Sequence, residues 1–255
     1  MRNLIWAALV LAGCAGGGAV EVPLDTSSSM PGVAVRVNGA GPFVFTIDTG
    51  FNETVLHSEL ADQLGGRIER LQIGAAEVVA PPFKVMDLKQ ITGTQGVIGI
   101  DVLRRFVVTI DPKAGRVSLK PIGSPPAGGV EIPFELRGGR IVAKGRLEGR
   151  AMVWWIHTGF ATVGVVATLD AYVEAGVGVS TAVEADKRGE RKITMVVMNQ
   201  VTVGGLNRSM IPGLAGAFPK DLPDRGDIEG ILSAPYFGGA ALTFDFERSM
   251  IRVRE

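Results

Sequence analysis

Apolar and polar positions alternate along most of this chain in short runs cut by glycine, proline and asparagine. Val33-Ala-Val-Arg-Val37 alternates and meets Asn38-Gly39, a hairpin signal. Phe43-Val-Phe-Thr-Ile47 then runs apolar into Asp48-Thr49-Gly50. Much further on, Arg140-Ile-Val-Ala-Lys144 leads to Leu147-Glu148-Gly149, and Met152-Val-Trp-Trp-Ile156 enters His157-Thr158-Gly159. Each is a strand pattern ending in a small polar turn. Residues 59–65 and 170–176 read as single short helices. Everything else reads as strand and turn, so the expected class is all-β.

The chain is an internal repeat. Residues 43–51 align without gaps on 152–160, an offset of 109 (157 less 48). A second segment, from Gly96-Val-Ile-Gly99 to Leu119, aligns on Gly230-Ile-Leu-Ser233 to Val253, an offset of 134 (230 less 96). The offsets differ by 25 (134 less 109), which places an insertion in the second copy, between Ala175 and Arg225. The charged stretches there, 184–192 and 219–226, read as solvated loops. Gly123-Ser-Pro-Pro-Ala-Gly-Gly129 reads as a linker. The expected organisation is two lobes, 31–121 and 130–255, joined by 122–129. Asp111 and Asp245 sit at turns, and turn chemistry accounts for them.

Composition narrows the function classes. Of 255 residues, 46% are hydrophobic and 20% charged, with 26 basic against 26 acidic side chains. That is a globular balance without the concentrated positive charge that nucleic-acid binding needs. The two histidines and one cysteine lack zinc-ligand spacing, and the glycine runs lack a phosphate-loop lysine. Neither metal nor cofactor is expected.

The N-terminus reads as targeting. Arg2 precedes an apolar run, Leu4 to Leu11, too short to span a bilayer. The run ends in Leu11-Ala-Gly-Cys14, which resembles the lipobox of bacterial lipoproteins; an ordinary signal peptide is the competing reading. The resemblance implies a signal peptide over 1–13 and a lipid on Cys14, the sole cysteine. A tether over 14–30 would follow, starting with flexible Gly16-Gly17-Gly18. It implies the periplasmic face of a bacterial envelope, with Ala15 leaning towards the outer membrane.

An apolar strand entering Asp-Thr-Gly, followed about 50 residues on by an apolar-apolar-Gly loop, resembles the aspartic protease superfamily. Here the pattern is Ile47-Asp48-Thr49-Gly50 with Gly96-Val97-Ile98-Gly99, and it recurs around His157 and Gly230. Lobe one is similar to retropepsin-like lobes, with lobe two similar in outline. The resemblance implies a bilobal, pseudo-two-fold fold, a peptide or protein substrate, no cofactor and a monomer. It makes Asp48 catalytic, with Thr49, Gly50, Thr158, Gly159, Gly96, Gly99 and Gly230 supporting the loops. Two such loops bring two side chains within reach of one water.

The second copy departs from the pattern. His157 replaces the second aspartate, Ser233 stands where lobe one has Gly99, and Pro235 where it has Asp101. Three readings follow. Asp48 and His157 form an unequal dyad in which each stabilises the other's charged form. Or the cleft binds extended peptides or envelope components without cutting them. Or two chains pair through their Asp48 loops, ranked last because lobe two already fills that place. Among other residues, His57 is expected to be solvated at a helix entry and Glu53 to lie on the surface. One of Trp154 and Trp155 is expected to face outward. Flap-like hairpins are expected near 71–74 and 201–205.

Overall fold

The computed structural model describes residues 18–25, 30–89, 91–186, 189–215, 218–219 and 224–255, with backbone alone for 179–193. Cys14 and the apolar run before it lie outside these residues. The first half contains β1 (Val20–Pro23), β2 (Gly32–Val37), β3 (Ala40–Ile47), β4 (Thr54–His57), β5 (Arg70–Ile73), β6 (Ala76–Val79), β7 (Phe83–Met86), β8 (Gly96–Ile98), β9 (Val107–Asp111) and β10 (Arg116–Lys120). Helices α1 (Ser58–Gln63) and α2 (Ile100–Leu103) interrupt them. The second half contains β11 (Val130–Pro133), β12 (Glu135–Arg137), β13 (Arg140–Leu147), β14 (Arg150–His157), β15 (Val165–Ala167), β16 (Val179–Asp186) and β17 (Gly189–Met198). It continues with β18 (Val201–Val203), β19 (Leu206–Arg208), β20 (Ile211–Ala215), β21 (Gly230–Ser233), β22 (Ala241–Asp245) and β23 (Met250–Arg254), with α3 (Leu169–Glu174) after β15.

Three sheets form. One runs β6-β5-β2-β3-β8-β4-β7, within lobe one. Its counterpart in lobe two runs β16-β17-β20-β15-β21-β14-β13-β18-β19, with β12 beside β13. The third, β1-β10-β9-β22-β23-β11, is shared. At its centre Thr109 lies opposite Thr243, and their hydroxyls meet at 2.9 Å. These residues are repeat equivalents (109 plus 134), so the pseudo-two-fold axis passes between them.

The registers repeat as the sequence does. In β3 and β8, Phe45 pairs with Gly96 in parallel; in β14 and β21, Trp154 pairs with Gly230. Each glycine makes room for the aromatic ring opposite. A Cβ would stand 2.4 Å from the Phe45 ring at Gly96 and 2.5 Å from the Trp154 ring at Gly230. Both aromatic side chains are fully buried in one apolar core that runs through both lobes.

Several expectations need correction. The tether does not extend to residue 30, because Val20–Pro23 forms β1, pairs with β10 and buries Val22. Apolar alternation at 20 and 22 gives that strand an inward face. The stretch 184–192 lies mostly in β16 and β17, a hairpin that has no lobe-one counterpart and accounts for the insertion. Hairpins form at 70–79 and 201–208, but their tips seat against the shared sheet. Gly74 faces Val20 and Val22, and Gly204 faces Glu131 and Ile132.

Candidate active site

Parallel pairing of β3 with β8, and of β14 with β21, carries residues 48 and 157 to the ends of two central strands. The chain then turns sharply in each lobe, and the two turns interlock. Thr49 Oγ1 donates to the Ile156 carbonyl at 2.9 Å, and Thr158 Oγ1 donates to the Ile47 carbonyl at 3.1 Å. In return, the Thr49 N–H donates to Thr158 Oγ1 at 3.1 Å, and the Thr158 N–H to Thr49 Oγ1 at 3.0 Å. Every donor and acceptor in this buried quartet is used, which leaves little freedom between the loops.

The interlock brings Asp48 and His157 together. His157 Nδ1 lies 2.9 Å from Asp48 Oδ1, although the ring nitrogen is not aligned as a hydrogen bond. Asp48 Oδ1 also accepts the Gly50 N–H at 2.7 Å and the Gly159 N–H at 3.0 Å. These amides stabilise a carboxylate, since both donate to it. Asp48 Oδ2 and His157 Nε2 are left without a hydrogen bond among the described residues. Both glycines are sterically required. A Cβ at Gly50 would stand 2.1 Å from His157 Nε2, and one at Gly159 would stand 2.1 Å from Asp48 Oδ2.

The supporting loops differ between lobes. A Cβ at Gly99 would fall 2.6 Å from the Glu53 carbonyl, so the 51–53 backbone passes directly over that residue. At Ser233 the side chain is accommodated, and its hydroxyl donates to the Val163 carbonyl. Asp101 has a structural role: its Oδ1 accepts from Thr54 Oγ1 at 3.0 Å. Burial raises the Asp101 pKa above the ordinary carboxylate range, partly offset by the Thr54 hydrogen bond. By strand register the repeat equivalents of Thr54 and Asp101 are Val165 and Pro235, so lobe two has an apolar pair where lobe one has a buried polar one.

Other residues move from their expected places. Both tryptophans are buried: Trp154 in the main core, and Trp155 beneath Phe218 and Ile228 in a second cluster. His57 is also buried, and its Nδ1 accepts the Leu88 N–H at 3.0 Å. Glu53, by contrast, is on the surface as expected and pairs with Lys84 at 3.3 Å. Sequence reasoning missed Asn52, which reaches across to lobe two and donates to the Gly138 carbonyl at 3.0 Å. Its repeat equivalent is Ala161, so the repeat offers no signal for it.

No protein-family model matches the chain, and no curated protein matches it. Among solved structures, an aspartic proteinase from Irpex lacteus superposes over 93% of this chain and 97% of its own, with a TM-score of 0.59 at 10% identity. This is the bilobal aspartic-protease fold. A retropepsin-like aspartic protease from Rickettsia conorii also matches, over 49% of this chain and 89% of that one, with a TM-score of 0.37 at 16% identity. In this aspartic-protease fold one chain supplies both loops, and the His157 loop occupies the place a second Asp48 loop would need.

Proposed function

We propose that this chain hydrolyses peptide bonds in a peptide or protein substrate, with water activated at Asp48 and His157 opposite. The observation that carries the reading is the convergence of the two side chains at 2.9 Å on loops locked by four reciprocal threonine hydrogen bonds. The duplicated loops could have kept their packing without keeping two titratable groups in contact.

The chemistry follows from which atoms remain free. Asp48 Oδ2 takes a proton from water as the water oxygen attacks the peptide carbonyl carbon. His157 as imidazolium has two donors. Nδ1 faces Asp48, and Nε2 is left to donate to the oxyanion that develops on the carbonyl oxygen. The proton held by Asp48 then passes to the leaving nitrogen as the C–N bond breaks, giving a carboxylic acid and an amine. Neither a covalent intermediate nor a metal takes part. By the lipobox reading, the protein would act from a lipid anchor on the periplasmic face of the envelope.

One observation favours a second reading, in which the cleft binds extended peptides or envelope components without cutting them. The imidazole covers Gly50, and Asp48 is only 1% exposed. A mixed peptide pool followed by mass spectrometry separates the two. The parent is expected to cleave, Asp48→Asn to be inactive, and His157→Ala to lose about 10²–10³-fold in kcat, as when one oxyanion donor is removed. A folded parent that binds peptides but cuts none establishes the second reading. Equal rates for His157→Ala and the parent would remove His157 from the mechanism.

A further inference from the structure

Two positions before His157 on β14, Trp155 lays its indole against the imidazole. The ring centroids are 4.9 Å apart, with the planes inclined by 43°. Phe160 adds an edge-on contact at 6.3 Å. The indole is itself clamped. Its direct neighbours across the sheet, Val142 and Ile231, belong to the same buried cluster. The Arg140 guanidinium stands over the indole, 5.3 Å from the ring centroid.

Lobe one has nothing comparable. The repeat places Thr46 at the position of Trp155 (155 less 109), and the strand register places Met30 at that of Arg140. Thr46 is buried, and its hydroxyl pairs with that of Thr94 at 3.1 Å. The lobe that carries histidine in place of aspartate therefore also carries an aromatic face in place of a small hydroxyl.

The two catalytic positions need different supports. The Asp48 carboxylate is oriented by two backbone amides. His157 Nδ1 has no aligned hydrogen bond despite its contact with Asp48. Packing must therefore set the ring's rotation, and aromatic pairs have specific geometric preferences.

We propose that Trp155, braced by Arg140, is the positioning residue for His157. It holds Nδ1 at Asp48 and leaves Nε2 available to substrate. The inference rests on the reading of His157 as Asp48's working partner, and it is tested by two readouts that fail separately. In kinetics, Trp155→Phe should stay within about threefold of the parent. Trp155→Leu should lower kcat about 10²-fold at unchanged KM, the loss expected from a misplaced catalytic group. The second readout needs no catalysis. The chain has two histidines, so imidazole nitrogen NMR at alkaline pH resolves His157. The parent and Trp155→Phe should show one tautomer, protonated at Nδ1, and Trp155→Leu should show averaging of both. Should Trp155→Leu not fold, Arg140→Met carries the test, with a smaller kcat loss of about threefold to tenfold and the same averaging. An unchanged His157 tautomer in every folded variant overturns the proposal. A parent that cuts no peptide defeats the catalytic reading alone, and the nitrogen spectrum then decides the positioning role.

Discussion

A Cβ at position 99 would strike the backbone of residue 53, yet position 233 carries a serine whose hydroxyl bonds the Val163 carbonyl. The replacement at 233 is visible in the sequence. That the loop before β15 accommodates it is not, because the partner carbonyl lies 70 residues away. The same holds for Pro235 opposite Asp101, which makes sense only once Thr54 and Val165 are seen as the paired change. Asp101 yields a prediction. Its folded pKa is raised from the ordinary value of 3.8 because the carboxyl is buried. The protonated form is therefore the one the fold prefers. Its contribution to stability is complete below the ordinary value and is lost as pH rises through the folded one. Asp101→Asn cannot ionise, so its melting temperature should gain on the parent's as pH rises from about 4 through the raised folded pKa. A difference that stays constant with pH would show that Asp101 does not titrate against the fold.

At the scale of elements, the threonine interlock ties β3 to β14 through their terminal turns. Thr158→Val keeps the side chain's shape but leaves the Thr49 N–H and the Ile47 carbonyl unpaired in a buried site. Each unpaired group costs about 1–3 kcal/mol, so chemical denaturation should show a stability loss of at least about 2 kcal/mol. A loss near zero would mean that water reaches the interlock. Strand identity and register were legible because the repeat preserves them: Phe45 with Gly96 predicts Trp154 with Gly230. What covers a strand's second face was not legible. Period-two alternation says that Trp154 and Trp155 point to opposite faces, but Phe218 and Ile228, which bury Trp155, come from a distant loop. His57 is buried for a comparable reason, since Leu88 folds back onto its Nδ1. The stretch 184–192 reads as loop because its charges cluster without apolar periodicity, and the backbone pairing of β16 with β17 leaves no mark on that pattern.

Across the whole molecule, a pseudo-two-fold relation organises the lobes, with Thr109 beside Thr243 at one level and Thr49 beside Thr158 at another. Most of the departures from symmetry described above fall on lobe two: His157, Trp155 with Arg140, Ser233 with Val163, and the β16–β17 hairpin. Asn52 is an asymmetric clasp from lobe one, bonded to the Gly138 carbonyl. The bilobal architecture was readable from two gapless alignments with different offsets, and the candidate pair from the mismatch at 48 and 157 between a matching Ile and a matching Thr-Gly-Phe. The 2.9 Å contact needed the fold. The pH profile of peptide cleavage by the parent beside His157→Asp tests the working pair most directly. Two carboxylates that close cannot both ionise and would share one proton. The account predicts that the parent's activity needs Asp48 ionised and His157 protonated, and that His157→Asp cleaves with its optimum moved to more acidic pH. Identical profiles for the two proteins, or no cleavage by either, would contradict it.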